Sequence, residues 1–319
     1  MNSPLAATVI VTVRNERGSI DALLDSLLGG TRPPDEIVVA DGGSDDGTAE
    51  RLRERAASEP RLRVLSTPGN RSVGRNAAVR AARHEVIACT DAGVEVESTW
   101  LERILRPFAG PDGADVVAGF YRPLATTSFE RVAGVVSAPS LQEVNLDRFL
   151  PSTRSIAFRR DAWNKAGGFD ETLAHNEDTP FALALKETGS RFAFAPDAIV
   201  GWRPRGNLRD FYRQHRRFGF GDGESRVQDW FYATIGLKYA AAAALLAAGF
   251  FWRPAWALLA IGGLAFAAQQ ARRGAGRLGA FEAWVGVPLV KIVYDLAYLN
   301  GYVRGRLDPP ASRRTDAAP

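Results

Sequence analysis

Short apolar runs rich in Val and Ile recur early in the chain, at Ala7–Val13, Glu36–Asp41, Leu62–Ser66 and Glu85–Thr90. Between and after them, Ser19–Leu28, Thr48–Ala57, Ser72–Arg83 and Thr99–Arg106 carry apolar residues at helical spacing. Strands alternating with helices of this length specify parallel βαβ units, because a parallel pairing needs a crossover that a helix can fill. Ile37-Val38-Val39-Ala40 shows no apolar/polar alternation, which marks a strand buried on both faces. Right-handed crossovers then bring the C-terminal ends of these strands to one edge of the sheet, where open α/β folds place their ligands.

Residues 112–175 are less regular. Val116–Tyr121 and Ser155–Arg159 read as strands, and Asp161–Ala166 as a short helix ended by Gly167-Gly168. A further helix is expected to start at Thr179-Pro180 and run through Phe181–Glu187, with the proline in a first turn whose N–H groups need no helical partner. Leu5–Val13 follows no lysine or arginine and precedes no small-residue cleavage site, so it reads as a buried first strand, not a signal peptide.

Three acidic sites follow this scaffold. They are the turn Asp41-Gly42-Gly43-Ser44-Asp45-Asp46-Gly47-Thr48, the strand end Thr90-Asp91-Ala92-Gly93, and Asn176-Glu177-Asp178, which is reached through Gly167-Gly168-Phe169-Asp170-Glu171. Acidic residues at strand ends suit a crevice that holds a nucleotide, a cation and a reacting hydroxyl. The Asp41 turn also reads as a strand-to-helix connection with Asp46 or Thr48 as N-cap, and an N-cap role is the alternative for Asp178, one that can coexist with a chemical role. His84, His175 and His215 show no metal-ligand spacing. The single cysteine, Cys89, lies in an apolar run, reads as a small core residue, and excludes an internal disulfide. The net charge is +4 with the positive excess in the later half of the chain, which favours a membrane surface or phosphate groups. No aromatic-plus-basic pattern points to RNA or DNA, so no nucleic-acid partner is expected.

In this order the pieces resemble family 2 glycosyltransferases, which are inverting, nucleotide-sugar-dependent enzymes. The resemblance spans about Thr8 to Gly223 and rests on Val11-Thr12-Val13-Arg14-Asn15-Glu16, the Asp41–Thr48 turn, Gly74-Arg75-Asn76, Asp91-Ala92-Gly93, Gly167–Glu171, Glu177-Asp178 and Gln214-His215-Arg216-Arg217-Phe218. It implies an α/β, glycosyltransferase A-type (Rossmann-like) domain with a mostly parallel central sheet. It also implies that Thr12, Arg14, Asn15, Glu16 and Asp41 hold the base and ribose, that Arg75 and Asn76 contact the diphosphate or ribose, and that Gln214 and Arg217 meet the departing diphosphate. Asp91 becomes the metal ligand, for Mg²⁺ or Mn²⁺. Asp178 becomes the general base, with Glu177 supporting it or binding the acceptor. The chain departs from the family pattern in three places: Gly93 replaces the second carboxylate of Asp-x-Asp, Trp202 stands near an expected histidine, and Phe218 replaces the Trp of Gln-x-x-Arg-Trp. An ion would therefore be held mostly by the diphosphate and Asp91.

Composition shifts after about Trp230. Ile235–Trp252 is nearly all apolar except Lys238, Arg253-Pro254 breaks it, and Ala255–Ala268 is apolar again. The expected reading is a membrane hairpin over 235–268 with arginines on its near side, which puts the catalytic domain on the cytoplasmic face of the cell membrane. Phe281–Val303, which contains Lys291 and Asp295, reads as an interfacial helix. The expected division is thus 1–230 catalytic, 231–307 membrane-associated, and 308–319 a disordered tail. The expected partners are a nucleotide diphosphate sugar, a lipid-linked or glycan acceptor, and membrane lipid. Alternatives are a soluble acceptor with the tail as a mere anchor, or a non-catalytic nucleotide-sugar-binding scaffold.

Overall fold

The computed structural model describes residues 5–308 apart from 111, 147–148 and 174, so the tail expected over 308–319 lies outside the described residues except for Asp308. The chain forms two compact units, one of Met1–Arg122 with Val144–Arg203, the other of Pro123–Glu143 with Pro204–Pro319.

The first unit alternates strand and helix as the apolar runs require: β1 (Ala7–Val13), α1 (Ile20–Leu28), β2 (Glu36–Asp41), α2 (Thr48–Ser58), β3 (Leu62–Ser66), α3 (Arg71–Ala81) and β4 (Val86–Asp91). It continues through β5 (Val94–Val96), α4 (Trp100–Leu105) and β6 (Val116–Pro123). After the excursion into the second unit, which contributes α5 (Ser128–Ser137), come β7 (Ile156–Arg159), α6 (Arg160–Lys165), α7 (Asp178–Glu187) and β8 (Phe192–Trp202). One sheet takes all eight strands in the order β3-β2-β1-β4-β7-β6-β8-β5. The half made of β3, β2, β1 and β4 is parallel, while β4–β7, β6–β7 and β5–β8 pair antiparallel, so the sheet as a whole is mixed. Every residue of β2 is buried, as its unbroken apolar run predicts. On one face Ile10, Val38, Ile87 and Phe158 pack with Val79 of α3, Trp163 of α6 and Phe181 and Leu185 of α7. Cys89 belongs to this core, and burial pushes its thiol up to about 12.

Register delivers the acidic groups. Thr12 lies between Ala40 and Asp91, and Val13 is opposite Asp41, so the C-terminal ends of β1, β2 and β4 share one edge.

The second unit is helical: α5, then α8 (Leu208–Ser225), α9 (Asp229–Ala248), α10 (Pro254–Gly274), a π-helical turn at Glu282–Gly286 and α11 (Val287–Leu307). The domain boundary expected at 230 falls inside this unit. The physical reason is α5, whose Val132, Ala133, Val135 and Val136 pack with Phe211, Val287 and Val290. The two apolar segments expected as a hairpin are α9 and α10, each longer than the sequence reading gave. Among the described residues α9 is the one helix long and apolar enough to cross a membrane, with mean hydropathy 1.4. Leu237, Leu246, Phe250, Phe251, Ile261 and Leu264 on and between the two helices are exposed. Asp295 of α11 is fully buried and paired with Lys238 and Lys291.

Two four-residue glycine spacings lock α8 to α11. A Cβ at Gly219 would overlap the Tyr298 carbonyl, and one at Gly223 the Tyr302 carbonyl. Reciprocally, side chains at Gly301 and Gly305 would overlap the carbonyls of Arg216 and Phe220. Only glycine permits this backbone-to-backbone approach. We therefore expect Gly301→Val to destabilise the protein by roughly 1–3 kcal/mol, the usual cost of overpacking. Gly262→Val, whose new side chain meets open space, serves as the control. Equal melting temperatures for the two variants in detergent would refute the close contact.

Candidate active site

The site grows from the sheet edge. Asp91 ends β4 and is half-buried. Its Oδ1 accepts from Arg75 at 2.8 Å and from Thr153 Oγ1 at 3.4 Å, and its Oδ2 accepts no hydrogen bond within the described residues. Burial pushes the Asp91 carboxyl up, but the guanidinium charges of Arg75, Arg154 and Arg71 outweigh it and hold the group below its ordinary value.

Arg75 sits on α3 with 2% exposure. Its second arm bonds Glu177, itself 3% exposed, and its plane lies 5.5 Å from the centre of the Phe169 ring. A buried arginine between two carboxylates has little left for a ligand. Within the protein, Arg75 ties the end of β4 to the start of α7. Asn76, the next residue, is saturated: Nδ2 donates to the Phe169 carbonyl and to Glu171 Oε1, both at 2.8 Å, while Oδ1 accepts from Phe169 N at 2.9 Å and Trp163 Nε1 at 3.2 Å. All its hydrogen-bonding capacity holds the 167–171 turn. Gly168 has φ +75° and lies where a Cβ would come within 3.0 Å of Asn76 Oδ1, so this turn requires glycine.

That turn leads to α7. Glu177 is the residue before the helix and makes no capping bond, so Asp178 is its first residue and not its N-cap. The Asp178 carboxylate is half-buried. Oδ2 accepts from Ser152 Oγ at 3.1 Å and Oδ1 is open within the described residues. Burial first, then the neighbouring Glu177 charge, raise the Asp178 carboxyl above its ordinary value, with Arg75 and Arg154 opposing. Asp178 and Asp91 are thus shifted in opposite directions within one cluster.

On the other side, the β1 and β2 loops brace each other. Asn15, left-handed at φ 60°, donates its N–H to Ser44 Oγ and accepts from Asp45 N. Glu16 N donates to Thr48 Oγ1, and the Glu16 carboxylate accepts from Ser19. The buried Asp41 carboxylate is engaged by its own turn, accepting from Gly43 N, Ser44 N and Ser44 Oγ. Asp46 accepts from Thr48, and Gly47 takes the N-cap position of α2, so neither Asp46 nor Thr48 is the cap. Arg14 is exposed. Thr12 is half-buried on β1 between Ala40 and Asp91. Gln214, half-buried, and Arg217, exposed, lie on α8 in the second unit.

Three residues here escaped sequence reasoning: Ser152 on Asp178, Thr153 on Asp91, and Arg154, whose charge reaches both aspartates. They lie in the stretch 120–155, which shows no readable pattern. The only signal was a polar triplet immediately before a strand.

No group of three His, Cys, Asp or Glu able to hold a metal exists among the described residues. One open carboxylate oxygen on Asp91 still fits a magnesium-type ion, which keeps waters and takes phosphate oxygens beside one or two carboxylates.

The family model described as Glycosyl transferase family 2 matches residues 8–167, and that of Glycosyl transferase family group 2 matches residues 108–290. The chain is 25% identical over 232 residues to the succinoglycan biosynthesis protein ExoA of Rhizobium meliloti, covering 69% of each chain. It is 26% identical over 255 residues to the glycosyltransferase AglE of Haloferax volcanii, covering 77% of this chain and 82% of that one. In structure it is similar to the mannosyltransferase PcManGT from Pyrobaculum calidifontis, solved with GDP-Man and Mn²⁺: the TM-score is 0.64 and the identity 23%, over 93% of this chain and 88% of that one.

Proposed function

The chain belongs to glycosyl transferase family 2, and we propose that within it this enzyme moves a sugar, with inversion, from a nucleotide diphosphate sugar to a hydroxyl of a lipid-linked or cell-envelope polysaccharide acceptor. The observation that carries this reading is that Asp91 and Glu177 both pair with Arg75 at the C-terminal edge of the sheet, with Asp178 next to Glu177 at the start of α7 and one oxygen of each aspartate open within the described residues. Inversion is a single displacement. The acceptor oxygen bonds to the anomeric carbon, the bond from that carbon to the diphosphate breaks with its electron pair leaving on the phosphate oxygen, and Asp178 Oδ1 takes the acceptor proton. Glu177 pairs with Arg75 and so fixes the start of the helix that carries the base. Arg14, Asn15, Glu16, Thr12 and Asp41 line the base and ribose side.

Asp91 Oδ2 would be the protein ligand of a Mg²⁺ or Mn²⁺ ion. When bound, that ion supplies positive charge to the diphosphate oxygens.

The acceptor class draws on two supports. One relative is named for succinoglycan biosynthesis. This chain also carries an exposed apolar helix, α9, suited to a bilayer. We read α9 and α10 as the membrane hairpin, α11 as lying at the interface, and the catalytic face as cytoplasmic, where nucleotide sugars are made.

The test incubates the purified full-length protein in vesicles with a panel of nucleotide diphosphate sugars and undecaprenyl-linked acceptors. Release of nucleoside diphosphate is expected with one donor. It should stop in EDTA, return with Mn²⁺ or Mg²⁺, and disappear in Asp91→Ala. Full turnover in EDTA would remove the ion from the reading, and no release with any donor would remove transfer itself.

A further inference from the structure

Arg154 is held in place without spending its hydrogen-bond donors. Thr90 Oγ1 donates to the Arg154 carbonyl at 2.9 Å, fixing its backbone beside the end of β4. Its guanidinium lies 5.1 Å from the Trp202 ring centre and 5.4 Å from that of Tyr121. Aromatic faces hold a planar, weakly hydrated cation through its π-surface and leave the N–H fork available. Within the described residues that fork donates to nothing and forms no ion pair. The indole N–H of Trp202 is likewise buried without a partner. A half-buried arginine supported by two aromatic rings, without an ion pair within the described residues and with its charge felt by two aspartates, is a site for an anion.

Building on the donor reading above, we propose that Arg154 binds the β-phosphate of the nucleotide diphosphate and takes up the negative charge that develops there as the sugar departs. Two observations favour phosphate over an acidic acceptor. The Arg154 backbone is tied to the strand that ends in Asp91, the diphosphate side of the site. Gly93 also removes one of the two carboxylates that would hold an ion, so part of the leaving-group charge must be met by another cation. The guanidinium fork matches two phosphate oxygens at once. In the transfer step the electron pair of the breaking bond stays on the β-phosphate oxygen, and Arg154 gains its strongest contact there.

Calorimetric titration of full-length protein tests this. A panel of nucleosides and nucleoside diphosphates is titrated into wild type, Arg154→Lys, Arg154→Gln and Arg154→Ala, with Mn²⁺ and with EDTA. Arg154→Ala should weaken diphosphate binding roughly 10- to 100-fold, the scale of one charged hydrogen-bonded contact, and leave nucleoside binding within about twofold. The loss should persist in EDTA. The lysine variant should recover part of the affinity, and the glutamine variant none. In turnover, kcat should fall with the acceptor KM unchanged. Unchanged diphosphate affinity in Arg154→Ala and Arg154→Gln overturns the proposal, and so does an effect confined to the acceptor KM. Equal loss of nucleoside and diphosphate binding would show a scaffold role and also overturn it. Wild type binding no diphosphate at all would instead sink the donor reading, and this proposal with it.

Discussion

Asp178→Asn is expected to lower kcat on the order of 10²–10⁴-fold while leaving nucleotide diphosphate affinity within about threefold. The amide keeps the shape of the carboxylate and can still accept from Ser152 Oγ, so only proton acceptance is lost. The same change should not cost stability. Because burial and Glu177 raise the Asp178 carboxyl, the fold favours its neutral form. Ionised Asp178 therefore costs stability above its raised folded pKa, and that cost disappears as pH falls through the shifted range. Asn is neutral at every pH, so the variant should melt at the wild-type temperature or slightly higher near neutral pH. Wild-type kcat/KM should have an acid limb displaced above the usual aspartate range, falling tenfold per pH unit below it, and the variant should lack that limb. Near-normal turnover in Asp178→Asn would take the base role away from this residue. A lowered melting temperature would contradict the electrostatic account.

Arg75→Met should be the most damaging change to folding. Removing one partner of a buried ion pair costs about 3–5 kcal/mol, because the charge left behind is unpaired. Here two are left, Glu177 and Asp91. Urea unfolding of the soluble face, followed by Trp fluorescence, would measure it. The pH dependence has a definite sign. Arg75 lowers the Asp91 carboxyl, so this part of native stability is present above the unfolded aspartate pKa and is lost as pH drops through the depressed value. The gap between wild type and Arg75→Met should narrow in acid. A gap that is constant with pH would mean that Arg75 stabilises by packing on Phe169 and not by charge.

The parallel half of the sheet was legible because its strands are short runs rich in Val, Ile and Leu that alternate with segments of helical period. β8 was not, since Pro196 and Asp197 interrupt Phe192–Trp202 and an antiparallel strand needs no such run. At the candidate site, residue types in the sequence pointed to Asp91, Glu177 and Asp178, and the fold gathers them around Arg75 and Ser152. What sequence could not show was how their neighbours are used. Arg75 and Asn76 look alike as ligand groups in a motif, and only packing reveals that both are spent on holding the chain together. Arg154 was invisible for the opposite reason. Its importance comes from Tyr121 and Trp202, which lie far from it along the chain, and a lone arginine carries no pattern.

The interrupted path of the chain sets a timetable for biosynthesis. α5 leaves the ribosome with Val132, Val135 and Val136 on its surface, but the residues that cover them, Phe211, Val287 and Val290, are not yet made. At ~5–20 residues per second, the wait for the last of these is on the order of ten seconds. For that interval the nascent chain carries an uncovered sticky helix between two pieces of a sheet that must find each other across it. A gene shortened before residue 204 makes that interval permanent, and its product should need a chaperone to stay out of inclusion bodies.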